Sequence, residues 1–126
     1  MHEELDLEFC TVSIYETYLI VVMNEGIHVT PEYNEILEGI VVKYFRKTPF
    51  VYLTWRKNSY SVDPAIYKKT LQINNLVGFG IITNAIGSSV KAQIEKPFIS
   101  IPFQIFDTVE EAEDWAQNLL KSSSTL

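Results

Sequence analysis

Cysteine is nearly absent. Cys10 is the only one in 126 residues, which excludes an internal disulfide and any cysteine-based zinc site. Its strand-like surroundings mark a small buried side chain rather than a reactive thiol. Histidine is almost as scarce. His2 and His28, with scattered carboxylates and no H-E-x-x-H spacing, make no metal pattern. Basic residues are outnumbered, ten against sixteen acids, for a net charge of −6. That field repels phosphate backbones and anionic lipid, so no nucleic acid is expected as a partner. No apolar run approaches the ~20 residues that span a bilayer. No basic start followed by an apolar stretch marks a signal peptide. The expectation is a cytoplasmic protein without an integral membrane segment.

Complete signatures of cofactor and nucleophile chemistry are also missing. Gly78 and Gly80 give only G-x-G, with no third glycine for a dinucleotide fingerprint, and no G-x-x-x-x-G-K loop is present. Ser59 and Ser61 lack the G-x-S-x-G context of a nucleophile elbow. No cofactor, no metal and no catalytic residue is therefore expected.

What the chain does contain is a core. Hydrophobic residues make up 47%, and the length fits one domain over 1–126 without an internal repeat or a dividing linker. Met1 to Glu8 reads as an acidic start that frays. Phe9 to Tyr15 alternates with period two, and Tyr18 to Met23 is almost wholly apolar, so the two form an antiparallel pair. Asn24-Glu25-Gly26 supplies a turn. Thr30-Pro31-Glu32 opens a helix, with Tyr33, Leu37, Ile40, Val41, Tyr44 and Phe45 on one side. Gly39, inside that helix, suggests a close approach to the sheet. Phe50 to Trp55 is a third strand, Pro64 to Asn74 a second helix, and Gly78 to Thr83 a fourth strand whose glycines admit a closely packed neighbour. Ile86, Val90 and Ile94 mark a third helix. Ile101 to Phe106 is a fifth strand. Asp107 with Glu110 forms a D-x-x-E capping box for the last helix, and Ser122 to Leu126 is a mobile polar tail. The sum is an α/β fold, a five-stranded mostly parallel sheet with an antiparallel N-terminal strand and about four helices.

The candidate site lies where the third strand ends. In an open α/β sheet, ligands and partners dock at the carboxyl ends of strands. Arg56, Asn58, Ser59, Tyr60, Ser61 and Asp63 occupy the loop there. Arg56 near a helix N-terminus suits a carboxylate or phosphate, with an ion pair to Asp63 or another local acid as the structural reading. Tyr60 suits an aromatic anchor, or a ring packed over its own loop. Asp63 is read as a helix N-cap. His28 is the residue type of a general base, but no second group beside it in sequence completes a catalytic pair, so it is read as a structural or surface histidine.

Three stretches carry a family resemblance: Asn24 through Thr30, Phe50-Val51-Tyr52 with Asn58 through Pro64, and Lys96-Pro97 through Phe106-Asp107 into Glu110-Glu111-Ala112 and Trp115. In their order and wording the chain resembles the STAS/SEC14-type, SpoIIAA-like superfamily, in particular its small bacterial members of the flavobacterial kind. The resemblance implies a non-enzymatic regulatory or interaction module. It would bind a protein partner, or itself as a homodimer, through the loop after the third strand. It also implies phosphorylation of a serine there, Ser59 or Ser61, although the Asp-Ser-Ser-Gly signature of the sporulation anti-anti-sigma factor is absent. The SEC14 side implies an alternative, a small apolar or amphipathic, lipid-like ligand, in keeping with seven Phe, seven Tyr and two Trp.

Overall fold

The computed structural model describes residues 3–57, 61–63, 65–70, 72–83 and 101–124. Strands β1 (Glu3–Asp6), β2 (Cys10–Ile14) and β3 (Tyr18–Met23) form an antiparallel meander. Next come β4 (His28–Val29), helix α1 (Tyr33–Tyr44) and β5 (Phe50–Trp55). Then follow β6 (Ser61–Val62), α2 (Ala65–Thr70) and β7 (Leu76–Ile82). β8 (Phe103–Phe106) and α3 (Val109–Ser124) complete the described chain. Among the described residues the main sheet has six strands in the order β1-β2-β3-β5-β7-β8, with β3, β5, β7 and β8 mutually parallel. β4 and β6 form a separate two-stranded ladder.

Period-two alternation divides the core into two layers. Cys10, Val12, Leu19, Val21, Tyr52, Phe79 and Ile81 face Leu37, Ile40 and Val41 of α1 and Ile66 of α2. Tyr18, Ile20, Val51, Leu53 and Phe106 face Ala112 and Ala116 of α3. Across the first layer, the rings of Tyr52, Phe79 and Phe103 stack from strand to strand at 5.1 and 6.0 Å between centroids. Such pairs add about 0.5–1.5 kcal/mol each beyond their burial. In the second layer, glycine lets the helix come close. A Cβ at Gly80 would lie 2.7 Å from Leu53 Cδ2 and 3.4 Å from Trp115 Cζ3, and one at Gly78 would lie 2.5 Å from Leu119 Cδ2.

The structure departs from the sequence reading at several points. The sheet has a sixth strand because the acidic start pairs with β2 from Glu3↔Ile14 to Asp6↔Thr11. The Leu7 amide closes that hairpin on the Cys10 carbonyl at 2.8 Å, and Leu5 packs on the core. Gly39 approaches nothing, since a Cβ there meets no atom within 4 Å. The capping box lies one residue later than Asp107–Glu110. The Glu111 amide donates to Thr108 Oγ1 at 3.2 Å and Thr108 Oγ1 donates to Glu111 Oε1 at 3.1 Å. That frame seats Ala112 and Ala116 fully buried against the sheet. Helix α3 continues to Ser124, so most of the expected tail is helical. The expected helix around Ile86 to Ile94 lies outside the described residues.

Candidate functional site

The rim above β3 and β5 is built by two excursions of the chain. After β3, Asn24-Glu25-Gly26 turns the backbone, with Gly26 at φ +78°, the value a type II turn asks of its third residue. The chain then enters β4. After β5, it returns as β6. The two excursions pair in parallel, His28 opposite Ser61 and Val29 opposite Val62. The Asp63 amide donates to the Val29 carbonyl at 2.9 Å, so this ladder satisfies backbone groups that leave the main sheet.

His28, Ser61 and Asp63 are thereby brought together, although 33 positions separate His28 from Ser61 in sequence. His28 is exposed. Asp63 caps α2: its Oδ1 accepts from the Ala65 amide at 3.0 Å and its carbonyl accepts from the Ile66 amide at 3.0 Å. Arg56 is held from the other side. Its amide donates to the Ile82 carbonyl at 2.9 Å, which prolongs the β5–β7 ladder by one residue. Its side chain is half-buried, with Nε withdrawn from solvent. Lys57 folds back, with Nζ 4.0 Å from the centre of the Trp55 ring. Asn58, Ser59 and Tyr60 lie outside the described residues.

Beside β4 runs an open groove of about 270 Å³, walled by Phe9, Ile27, His28, Tyr33 and Ile36, with Glu32 on its margin. Phe9 meets Tyr33 edge to face at 5.7 Å between centroids. Ile36 is 42% exposed, one of two large apolar side chains in the open among the described residues. The Glu32 carboxyl is held below its ordinary range, chiefly by a hydrogen bond from Thr30 and then by its own backbone amide. The sequence reading missed this groove. Its one signal was Ile36 itself, an apolar residue outside the 3.6-residue stripe of α1.

Two polar networks hold the elements beneath the rim. Thr70 Oγ1 donates to Asn34 Oδ1 at 2.7 Å, and Asn34 Nδ2 donates to the Ile66 carbonyl at 3.1 Å, locking α1 to α2 inside the protein. Tyr18 donates its hydroxyl to Glu113 Oε2 at 2.6 Å, tying β3 to α3. Burial and that bond together push the Tyr18 phenol well above its ordinary range. Cys10 is buried as expected, and desolvation pushes its thiol up to about 12. Among the described residues, no three His, Cys, Asp or Glu side chains gather to hold a metal ion. No described helix is long and apolar enough to cross a membrane.

No protein-family model and no curated protein matches the chain. A solved structure does. It is an uncharacterised protein of the DUF3478 family from Shewanella loihica PV-4, described as having a SpoIIAA-like fold. It superposes with a TM-score of 0.56 at 16% sequence identity, over 92% of this chain and 95% of that one. The fold is therefore SpoIIAA-like, in agreement with the resemblance read from the sequence.

Proposed function

We propose that the chain is a non-enzymatic, cytoplasmic interaction module whose protein partner docks on the rim formed by residues 27–36, 56–57 and 61–63. One observation carries the reading. The β4–β6 pairing joins two separate excursions into one surface at the carboxyl ends of β3 and β5, beside a groove that leaves Ile36 in the open. Exposed apolar side chains ringed by polar ones suit partner binding. Arg56 and Tyr60 would then serve as anchors, and a phosphate on Ser59 or Ser61 would add negative charge for the partner to recognise.

The test is affinity capture with the whole chain, followed by direct binding of the recovered partner. An Ile36→Asp variant and an Arg56→Ala, Tyr60→Ala double variant should both lose that partner. Equal binding by all three proteins means the surface is wrong. Intact mass of protein isolated from its native cell reads the phosphate directly.

The alternative, a small apolar or amphipathic ligand, draws its support from the same groove. At about 270 Å³ the groove is small beside the ~300–1,000 Å³ of drug-sized ligand sites, so the partner reading is preferred. Native mass spectrometry showing a co-purifying lipid would reverse that preference.

A further inference from the structure

Among the described residues, β1 is the outermost strand of the main sheet, with β2 as its hydrogen-bonded neighbour. The Leu7 amide donates to the Cys10 carbonyl. In an antiparallel ladder, bonded pairs alternate, so they recur at Leu5↔Val12 and Glu3↔Ile14. The N–H and C=O groups of Glu4 and Asp6 therefore point away from β2, off the edge of the sheet.

The charged side chains of β1 itself are all acidic. Glu3, Glu4 and Asp6 are exposed. The first basic residue in the chain is Lys43, and nine of the sixteen acids precede it. At the amino end of β1, a hollow of about 220 Å³ lies between Glu3, Ile14, Tyr15, Glu16 and Tyr44. Carboxylates beside phenol rings are good walls for a cation. One ring already takes an ammonium: Lys43 Nζ lies 5.3 Å from the centre of Tyr44. Tyr15 is steadied by stacking on Tyr18 at 4.6 Å.

We propose that β1 is an acceptor strand. An extended basic partner segment adds to it as a further strand and seats one Lys or Arg side chain in the hollow between Glu3, Glu16 and Tyr44. Main-chain bonds would supply affinity, and alternate side chains would supply specificity. A second copy of this chain is disfavoured as the occupant, because two β1 edges would set carboxylates against carboxylates. This surface lies at the sheet edge and is independent of the rim.

The experiment is fluorescence anisotropy on the whole chain, with a labelled peptide of alternating Lys and Val and a matched peptide of alternating Glu and Val. The Lys peptide should bind saturably and more weakly as salt rises, and the Glu peptide should not bind. Asp6→Pro removes an outward N–H and leaves the bonds to β2 in place; it should weaken binding by roughly two- to tenfold, as the loss of one main-chain hydrogen bond implies. The Glu3→Gln, Glu16→Gln double variant tests the hollow without touching the backbone and should also weaken binding, with circular dichroism unchanged. Full affinity in both variants, or equal binding of the two peptides, overturns the proposal. So does a peptide-free dimer that Asp6→Pro dissolves, since the occupant would then be a second copy.

Discussion

Replacing Gly80 by alanine tests how closely α3 is packed on the sheet. The new Cβ would lie 2.7 Å from Leu53 Cδ2, 3.1 Å from Phe106 Cε2 and 3.4 Å from Trp115 Cζ3. Leu53 is fully buried and has no open side to move toward. Phe106 is a rigid ring packed on Trp115 at 5.3 Å. Overpacking of this kind costs about 1–3 kcal/mol. The stiffer unfolded chain returns about 0.4–1 kcal/mol, so a net loss of about 1–2 kcal/mol is expected. For a chain of this size each kcal/mol lowers Tm by roughly 3–5 °C. Gly78→Ala makes the informative comparison. Its nearest contact is shorter, 2.5 Å to Leu119 Cδ2, but Leu119 is only partly buried and its side-chain end can swing away. Gly78→Ala should therefore cost less than Gly80→Ala. Urea unfolding followed by tryptophan fluorescence measures both. Adding Leu53→Val to Gly80→Ala should restore part of the loss, because the two sites touch. A neutral Gly80→Ala, or a Gly78→Ala that is worse, would refute the reasoning.

Three further outcomes follow from single sites. Gly39→Ala should stabilise the protein by about 0.5–1 kcal/mol, because the position is helical, exposed and open; a loss on urea unfolding would mean an undetected close contact. Thr108→Ala should cost about 1 kcal/mol and Asp107→Ala clearly less, since Thr108 holds the cap; thermal melts of the pair decide. Cys10 should resist alkylation at neutral pH until the protein unfolds. Because the folded thiol is raised from its ordinary 9.0 to about 12, it stays neutral where the unfolded one ionises. Its contribution to stability is complete below pH 9 and is lost as pH climbs toward 12. Rapid labelling of native protein at pH 7 would contradict this.

Much of the fold was legible because it rests on local pattern. Alternation at Cys10, Val12 and Ile14, the apolar runs at Tyr18 to Met23 and Phe50 to Trp55, and the stripe from Tyr33 to Val41 all appear as read. β1 was not legible because Glu3, Glu4 and Asp6 carry no strand propensity; its pairing with β2 is what makes it a strand. The cap at Thr108 was misread by one residue because Asp107 and Thr108 are both good caps with an acid three positions later, and burial of Ala112 and Ala116 decides between them. Of the candidate site, the end of β5 at Trp55 was legible from the strand pattern, and the site itself was inferred only from the position of strand ends. The partnership of His28 with Ser61 was not, because a two-residue ladder between distant segments leaves no periodic trace.

Amide hydrogen exchange, read with and without the captured partner, tests the rim most directly. In the free protein the Asp63 amide should exchange slowly, as its bond to the Val29 carbonyl requires. On adding the partner, new protection should fall on residues 27–36, 56–57 and 61–63. Exchange of Asp63 at the unprotected rate, or new protection confined to other parts of the chain, would contradict the account.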